Sequence, residues 1–313
     1  MLDTSVFKRL AHNDTGKAAG HQGGIVIPKA IASFFPPLPG AGGPENPTVD
    51  KRMVADLFVD GVRVATVRTR YQHQTWGGTR SPERRLTDNL SPLRNAASAG
   101  DIAVFTKDLT DDGYMQVHLL RQGTEEHGLL LSRTGGKNWG PVDPDHPPVS
   151  VEQIAQAEED LDEIADGPAE VMGPPRKTVE SSAVRKARDR AFRRKVLEQY
   201  GNACAFTGRR FVSPISDAIV GLDAAHVVSV SANGTDHPAN GLALTKDLHW
   251  AYDKGLVSVS SKRTILVPEI VAALPGNEFL RELNGKAIRE AARASLRVPA
   301  EAFEWHRDTV LLR

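Results

Sequence analysis

The sequence predicts an α+β chain of two domains, and three observations carry that expectation. Its 313 residues, 40% of them apolar, exceed what one hydrophobic core usually organises. Between Ile25 and about Leu131 the apolar residues fall in short or alternating runs, as in strands. From Val151 onward the spacing turns helical, after a stretch dense in Pro, Gly and Asp.

Taken in order, GGIVIP, MVADLFVD, VRVATVRTRY, GDIAVFTK and YMQVHLLRQ read as strands bounded by Gly, Pro, Asp or Asn, and so as a barrel or sandwich. FFPPLPGAGGPEN, residues 34–46, carries too many prolines and glycines for a regular element and is expected to be an exposed loop. A helical acidic segment runs from Val151 to about Asp166, with Glu158, Glu159, Asp160, Asp162 and Glu163. GPAEVMGPPRKTVESS then reads as a linker. The expected division is 1–148, a linker over 149–183, and 184–313. Ser182 to Tyr200 is strongly basic, with Arg185, Lys186, Arg188, Arg190, Arg193, Arg194 and Lys195. Ala191, Val196, Leu197 and Tyr200 give it an apolar helical face.

Composition excludes several classes. A single cysteine, Cys204, rules out an internal disulfide and any zinc site built on paired cysteines. No structural zinc is expected, and Cys204 reads as a small buried apolar residue. No run of eighteen apolar residues occurs, and MLDTSVFKRL lacks a secretory apolar stretch, so a soluble, cytoplasmic protein without membrane contact is expected. The net charge is zero. Its distribution carries more information than its sum.

The chemistry concentrates between Cys204 and Val257. LDAAHVVSV reads as a strand bearing Asp223 and His226, SANGTDHPANGLAL as a loop bearing Asn240, and TKDLHWAYDKG as a helix carrying His249 and Asp253. His249 and Asp253 lie four apart, on one helical face, where imidazole and carboxylate can share a divalent cation such as Mg²⁺ or Mn²⁺. His226 is the candidate general base, since neutral imidazole accepts a proton near pH 7. Asn240 is the candidate that holds strand and loop so that His226 is aimed. Asp223, three residues before His226, falls on the opposite strand face, which suits a ligand set against a base. Taken singly, each has a plainer reading: a core histidine, an Asn-Gly turn, a surface His-Asp pair, a strand-start aspartate. Their ordered combination on strand, loop and helix favours the functional one.

AFRRKVLEQYGNACAFTG followed by DAAHVVSVSANGTDHPANGLALTKDLHWAYDKGLVSV resembles the HNH nuclease family in its cysteine-poor form, over roughly Ala191 to the C-terminus. The resemblance implies a ββα-metal fold, with His226 as base, Asn240 as the central Asn, His249 as metal ligand and Asp253 as a second ligand on the helix. Many relatives place an acid or His directly before the first His. Here that position is Ala225.

In the N-terminal half, KRLAHNDTGKAAGHQGGIVIPK and RTRYQHQTWGGTRSPERRL are polar, basic loops that can approach phosphates and base edges. NDTG, GHQ and IPK together with GGTRSPERRLT are similar to the N-terminal effector domain of the EcoRII restriction endonuclease, over about Phe7 to Arg121. The resemblance implies a DNA-binding pseudobarrel gripping a duplex with two arms. Arg9, Asn13, Asp14, His21 and Gln22 are assigned to the first arm, and Arg80, Glu83, Arg84 and Arg85 to the second.

The expected protein is a modular restriction endonuclease acting on double-stranded DNA. A homodimer is expected, because one such site cuts one strand at a time, and a cognate DNA methyltransferase is the expected companion. Two other readings stay open. One is a modification-dependent enzyme sensing methylcytosine or hydroxymethylcytosine, for which Trp76 and Tyr71 are the nearby aromatics; the other is a DNA-binding regulator with an inactive nuclease module. Opposite charge also suggests that the acidic segment contacts the basic helix and holds the nuclease idle.

Overall fold

A computed structural model describes residues 2–17, 23–40, 42–43, 45–76, 81–174, 181–212 and 219–313. The described residues divide into two compact units, one up to Gln153 and the other over Ile154–Val212 and Ile219–Arg313. Each has its own hydrophobic cluster. No helix among the described residues is long and apolar enough to cross a membrane.

The first unit is built on strands β1 (Val6–Arg9), β2 (Ile25–Ile27), β3 (Thr48–Val59), β4 (Val62–Gln74), β5 (Glu83–Thr87), β6 (Ile102–Asp108), β7 (Asp111–Leu120) and β8 (Trp139–Pro141). They form one eight-stranded sheet in the order β2-β5-β4-β3-β7-β6-β1-β8. Pairing is antiparallel except between β3 and β7. The β3–β4 hairpin turns through Asp60 and Gly61, both at positive φ (46° and 80°), a two-residue turn whose twist suits the flanking strands. Alternate residues then share a face. Met53, Ala55 and Leu57 of β3 point into the core with Tyr71, Leu86 and Ile25. Phe35 fills its centre, stacked on Tyr71 (4.9 Å) and edge-on to Phe105 (5.4 Å).

Three sequence expectations need correction here. Phe34 and Phe35 open the Pro/Gly-rich loop but are buried, because the chain spends their apolar area on the core before it turns outward. Lys8 and Arg9 lie on strand β1 rather than in a loop. Glu83, Arg84 and Arg85 lie on strand β5, paired with β2 and β4. Helices α1 (Ser91–Arg94) and α2 (Glu125–Arg133) were not legible as elements; α2 is started by Thr124, whose hydroxyl accepts from the His127 N–H.

The second unit contains helix α3 (Val151–Asp166) from Ile154 onward, helix α4 (Ser182–Gln199), the antiparallel pair β9 (Phe211–Val212) and β10 (Ile219–Val220), strands β11 (Leu222–His226) and β12 (Gly241–Thr245), and helix α5 (Lys246–Asp253). After these come β13 (Ser258–Val259), β14 (Ile265–Leu266), α6 (Glu269–Ala272), α7 (Glu278–Leu283) and α8 (Ala300–Thr309). Leu161 and Ala165 of α3 are buried in the same cluster as Ala191, Phe192, Val196 and Leu197 of α4, so much of the acidic segment packs into this unit's core. Its carboxylates meet the basic helix. Glu158 pairs with Arg194 at 2.7 Å, and Asp162 pairs with Lys195.

Strands β11 and β12 pair antiparallel from Leu222↔Thr245 to His226↔Gly241, and α5 follows β12 without a break. The second strand falls in GLALT, which the sequence pattern left inside a loop; all five of its residues are buried, so no polar alternation marks it. Gly241 is dictated by packing. A Cβ there would stand 2.4 Å from Val196 and 3.0 Å from Phe192 of α4, so only hydrogen lets the helix sit this close to the strand.

Candidate active site

The expected nuclease residues gather around β11. Asp223 and His226 lie three apart on the strand and face different partners. Asp223 turns towards α5, where its Oδ2 is 3.6 Å from His249 Nδ1, and Arg193 of α4 stands 3.9 Å from its other oxygen. One helical turn on, Asp253 Oδ2 is 3.4 Å from His249 Nε2. The carboxylate of Asp223 raises the imidazole of His249 above its ordinary pKa, against the opposing effect of burial. The same contact holds Asp223 below the usual carboxylate value.

As donors, one imidazole and two carboxylates, all partly exposed, suit a hard divalent cation with open coordination positions. Their arrangement is that of an ion-paired triad. The two carboxylates approach opposite ring nitrogens of His249, and among the described residues no group of three or more His, Cys, Asp and Glu is spaced to hold a metal ion. The residues fit the group chemically. Coordination through His249 requires that one carboxylate release its ring nitrogen.

His226 has a separate setting. Its ring stacks on Phe192 of α4, with centroids 4.0 Å apart and planes within 10°. Its Nε2 is hydrogen-bonded to Asp236 Oδ1 at 2.9 Å, and the other oxygen of Asp236 pairs with Arg188 at 2.8 Å. These partners were not identified from sequence. Asp236 sits in an irregular loop, where no spacing rule ties it to His226, and Arg188 and Phe192 read only as parts of an amphipathic basic helix.

Asn240 is fully buried and acts as a clamp. Its Oδ1 accepts from the Val228 N–H (2.8 Å), and its Nδ2 donates to the carbonyls of Val228 (3.0 Å) and Thr235 (2.9 Å). These bonds tie the two ends of the loop between β11 and β12. Cys204 is buried in the same unit.

In the first unit, Arg9 is exposed at the end of β1 and Asn13 is half-buried. Asp14 departs from expectation. It is fully buried; one oxygen accepts from the Val26 N–H (2.9 Å) and from Lys8 Nζ (2.8 Å), and the other from the Ala11 N–H (2.8 Å). A carboxylate so occupied anchors the arm and has no oxygen left for a base edge. Arg85 is buried and paired with the half-buried Glu83 (2.8 Å), while Arg84 is half-buried. His21, Gln22 and Arg80 lie outside the described residues. Tyr71 belongs to the core, which removes it from the aromatics available to a flipped base.

Strand β11, the loop end before β12 and helix α5 thus present a histidine, a buried asparagine and a histidine-carboxylate pair within one segment. Residues 204–260 match the family model described as HNH endonuclease, and residues 2–146 match that of restriction endonuclease EcoRII, N-terminal. The N-terminal part of the chain is thus similar to an EcoRII-type N-terminal domain, and the segment that carries these residues to an HNH endonuclease domain. No curated protein matches it. Among solved structures it is similar to a modification-dependent TagI restriction endonuclease (15% identity, TM-score 0.30, 38% of this chain and 37% of that one). It is also similar to the B3 domain of the UbaLAI restriction endonuclease, a mutant solved with cognate DNA (19% identity, TM-score 0.30, 44% of this chain and 82% of that one). The chain thus covers 37% of the length of the TagI structure.

Proposed function

We propose that this chain is a site-specific restriction endonuclease: the N-terminal sheet, as a DNA-binding pseudobarrel, reads double-stranded DNA, and the C-terminal domain, as a ββα-metal module, hydrolyses its phosphodiester bonds. The observation that carries the reading is that one stretch matching the HNH endonuclease model contains His226 on strand β11, Asn240 at the end of the following loop, and His249 and Asp253 on the helix after β12, with Asp223 beside His249.

His226 is the general base. It takes a proton from the attacking water as the new P–O bond forms and the bond to the leaving sugar oxygen breaks. Asn240 keeps the loop folded so that the ring holds its place. Asp223, His249 and Asp253 would hold a divalent cation, Mg²⁺ or Mn²⁺, which when bound supplies positive charge against the phosphate. Arg9, Asn13 and Arg84, with His21, Gln22 and Arg80, are the DNA-facing candidates of the two arms. A homodimer would cut both strands, and a cognate methyltransferase would protect the host site.

The test is cleavage of plasmid DNA, prepared with and without cytosine methylation, by wild type and His226→Ala in Mg²⁺ or Mn²⁺. Discrete fragments from wild type alone are expected. Cutting of the methylated plasmid only would replace this reading with a modification-dependent one, and sequence-specific binding without cleavage of a plasmid carrying the bound site would replace it with a regulator.

A further inference from the structure

We infer that Asp236, held by Arg188, is the positioning residue that fixes the tautomer and orientation of His226. The inference rests on the assignment of His226 as general base and names the device that makes it one.

An imidazole serves as a base only if the nitrogen facing the water is unprotonated and aimed. Here the ring is fixed on three sides. Phe192 covers one ring face, stacked within 10° of parallel at 4.0 Å. The β11 backbone holds its Cα in the hairpin opposite Gly241. Asp236 accepts at Nε2, 2.9 Å away. A carboxylate has no proton to give at neutral pH, so Nε2 must carry the hydrogen, and the proton-free lone pair then lies on Nδ1. Among the described residues no hydrogen bond is made to Nδ1, so that is the atom left to take the water's proton. When it does, the imidazolium faces Asp236, whose negative charge stabilises it.

Asp236 is fixed in turn. Its side chain is only 8% exposed, and Arg188 pairs with its second oxygen at 2.8 Å. Phe192 and Arg188 lie four residues apart on α4, so one helical face supplies both the stacking ring and the cation. Helix α4 is therefore the rail on which the base is mounted, and its packing against Gly241 sets the distance. Carboxylates behind a functional imidazole commonly contribute 10–100-fold where they set the tautomer of a metal-ligating histidine, and a comparable loss of about 10–100-fold is expected here.

The experiment is a double-mutant cycle on the full chain. Single-turnover cleavage at saturating protein is measured for wild type, D236N, D236E, H226A and D236N/H226A, alongside DNA affinity and the unfolding midpoint. D236N should cleave about 10–100-fold more slowly with unchanged affinity, D236E should recover part of the rate, and H226A should lose about 10²–10⁴-fold. In the H226A background D236N should cost nothing further, since its target is gone. An equal loss in both backgrounds, or a wild-type rate for D236N, overturns the proposal. A wild-type rate for H226A instead overturns the base assignment, and the positioning role with it. A readout independent of cleavage is the ¹⁵N spectrum of histidine-labelled protein. Wild type should show His226 as the Nε2–H tautomer, and D236N should lose that preference. An Nδ1–H tautomer in wild type overturns the proposal whatever the enzyme cuts.

Discussion

At the scale of single residues, buried polar side chains in this molecule are anchors whose removal has separable consequences. Asn240 makes three hydrogen bonds from a fully buried position. Replacing it with Ala leaves backbone groups of Val228 and Thr235 unpaired in the interior, which costs roughly 1–3 kcal/mol per group before relaxation. Asn240→Ala should therefore lower the unfolding midpoint as well as the cleavage rate, and chemical denaturation checks it. Asp14 poses the same question in the other unit. Burial lowers the pKa of Lys8, and Asp14 keeps its charge compensated. Asp14→Ala should destabilise by about 3–5 kcal/mol by leaving that buried lysine without its paired carboxylate, whereas Arg9→Ala should weaken DNA binding with little change in stability. A third case is His306, buried between Ser258 and Tyr252. Its Nδ1 accepts from the serine hydroxyl (2.8 Å) and its Nε2 donates to the Tyr252 carbonyl (3.1 Å), which is the neutral tautomer. Burial pushes its pKa down from 6.5 to about 4. As pH falls below 6.5 the unfolded chain takes up a proton that the folded chain refuses, so stability is lost between about pH 6.5 and 4. One such group accounts for roughly 3 kcal/mol over that window. Denaturation curves at pH 7, 6 and 5 should show the decline, and His306→Gln should flatten it.

At the scale of elements, what was legible follows from periodicity. Strands β3, β4, β6 and β7 alternate or run apolar over many residues, and α3, α4 and α5 carry clear helical faces, so their existence and type could be read. Strands β1, β5 and β8 could not be. They span three to five residues, and β5 presents Glu83, Arg84 and Arg85, residue types that signal a loop unless a sheet pairs with them on both sides. Strand β12 was hidden for the opposite reason, since every one of its residues is buried. Of the site, His226, Asn240, His249 and Asp253 were visible as a pattern, while Asp236 and Arg188 depend on a loop path that no local rule encodes. Helix α3 gives an element-scale prediction. Leu161 is buried against α4, so Leu161→Ala should cost about 2–5 kcal/mol in the unfolding of the nuclease unit. Glu158→Gln, which removes only a partly exposed ion pair with Arg194, should cost no more than about 1 kcal/mol. Comparable effects from both would show that charge rather than burial attaches the helix.

At the scale of the whole molecule, two cores of separate composition imply two separable tasks. The sheet unit builds its core around Phe35, Tyr71, Leu86 and Phe105, and the residues proposed for catalysis lie in the other unit. If reading and cutting divide along that line, inactivating the cut must leave the reading intact. His226→Ala in the full chain should protect the same DNA sequence from footprinting as wild type does when divalent cation is withheld, while producing no fragments when cation is restored. If arginines of the sheet unit neutralise phosphates, as proposed, affinity should fall steeply with added salt through counterion release. Arg84→Ala should relax sequence preference, because a guanidinium aimed at a base edge discriminates by about 1–3 kcal/mol. A phosphate contact would instead weaken all sequences equally and reduce the salt slope by about one. The two outcomes assign β5 to base reading or to backbone grip. A footprint that vanished with His226→Ala would place recognition in the nuclease unit instead, and with it the choice of where this chain cuts.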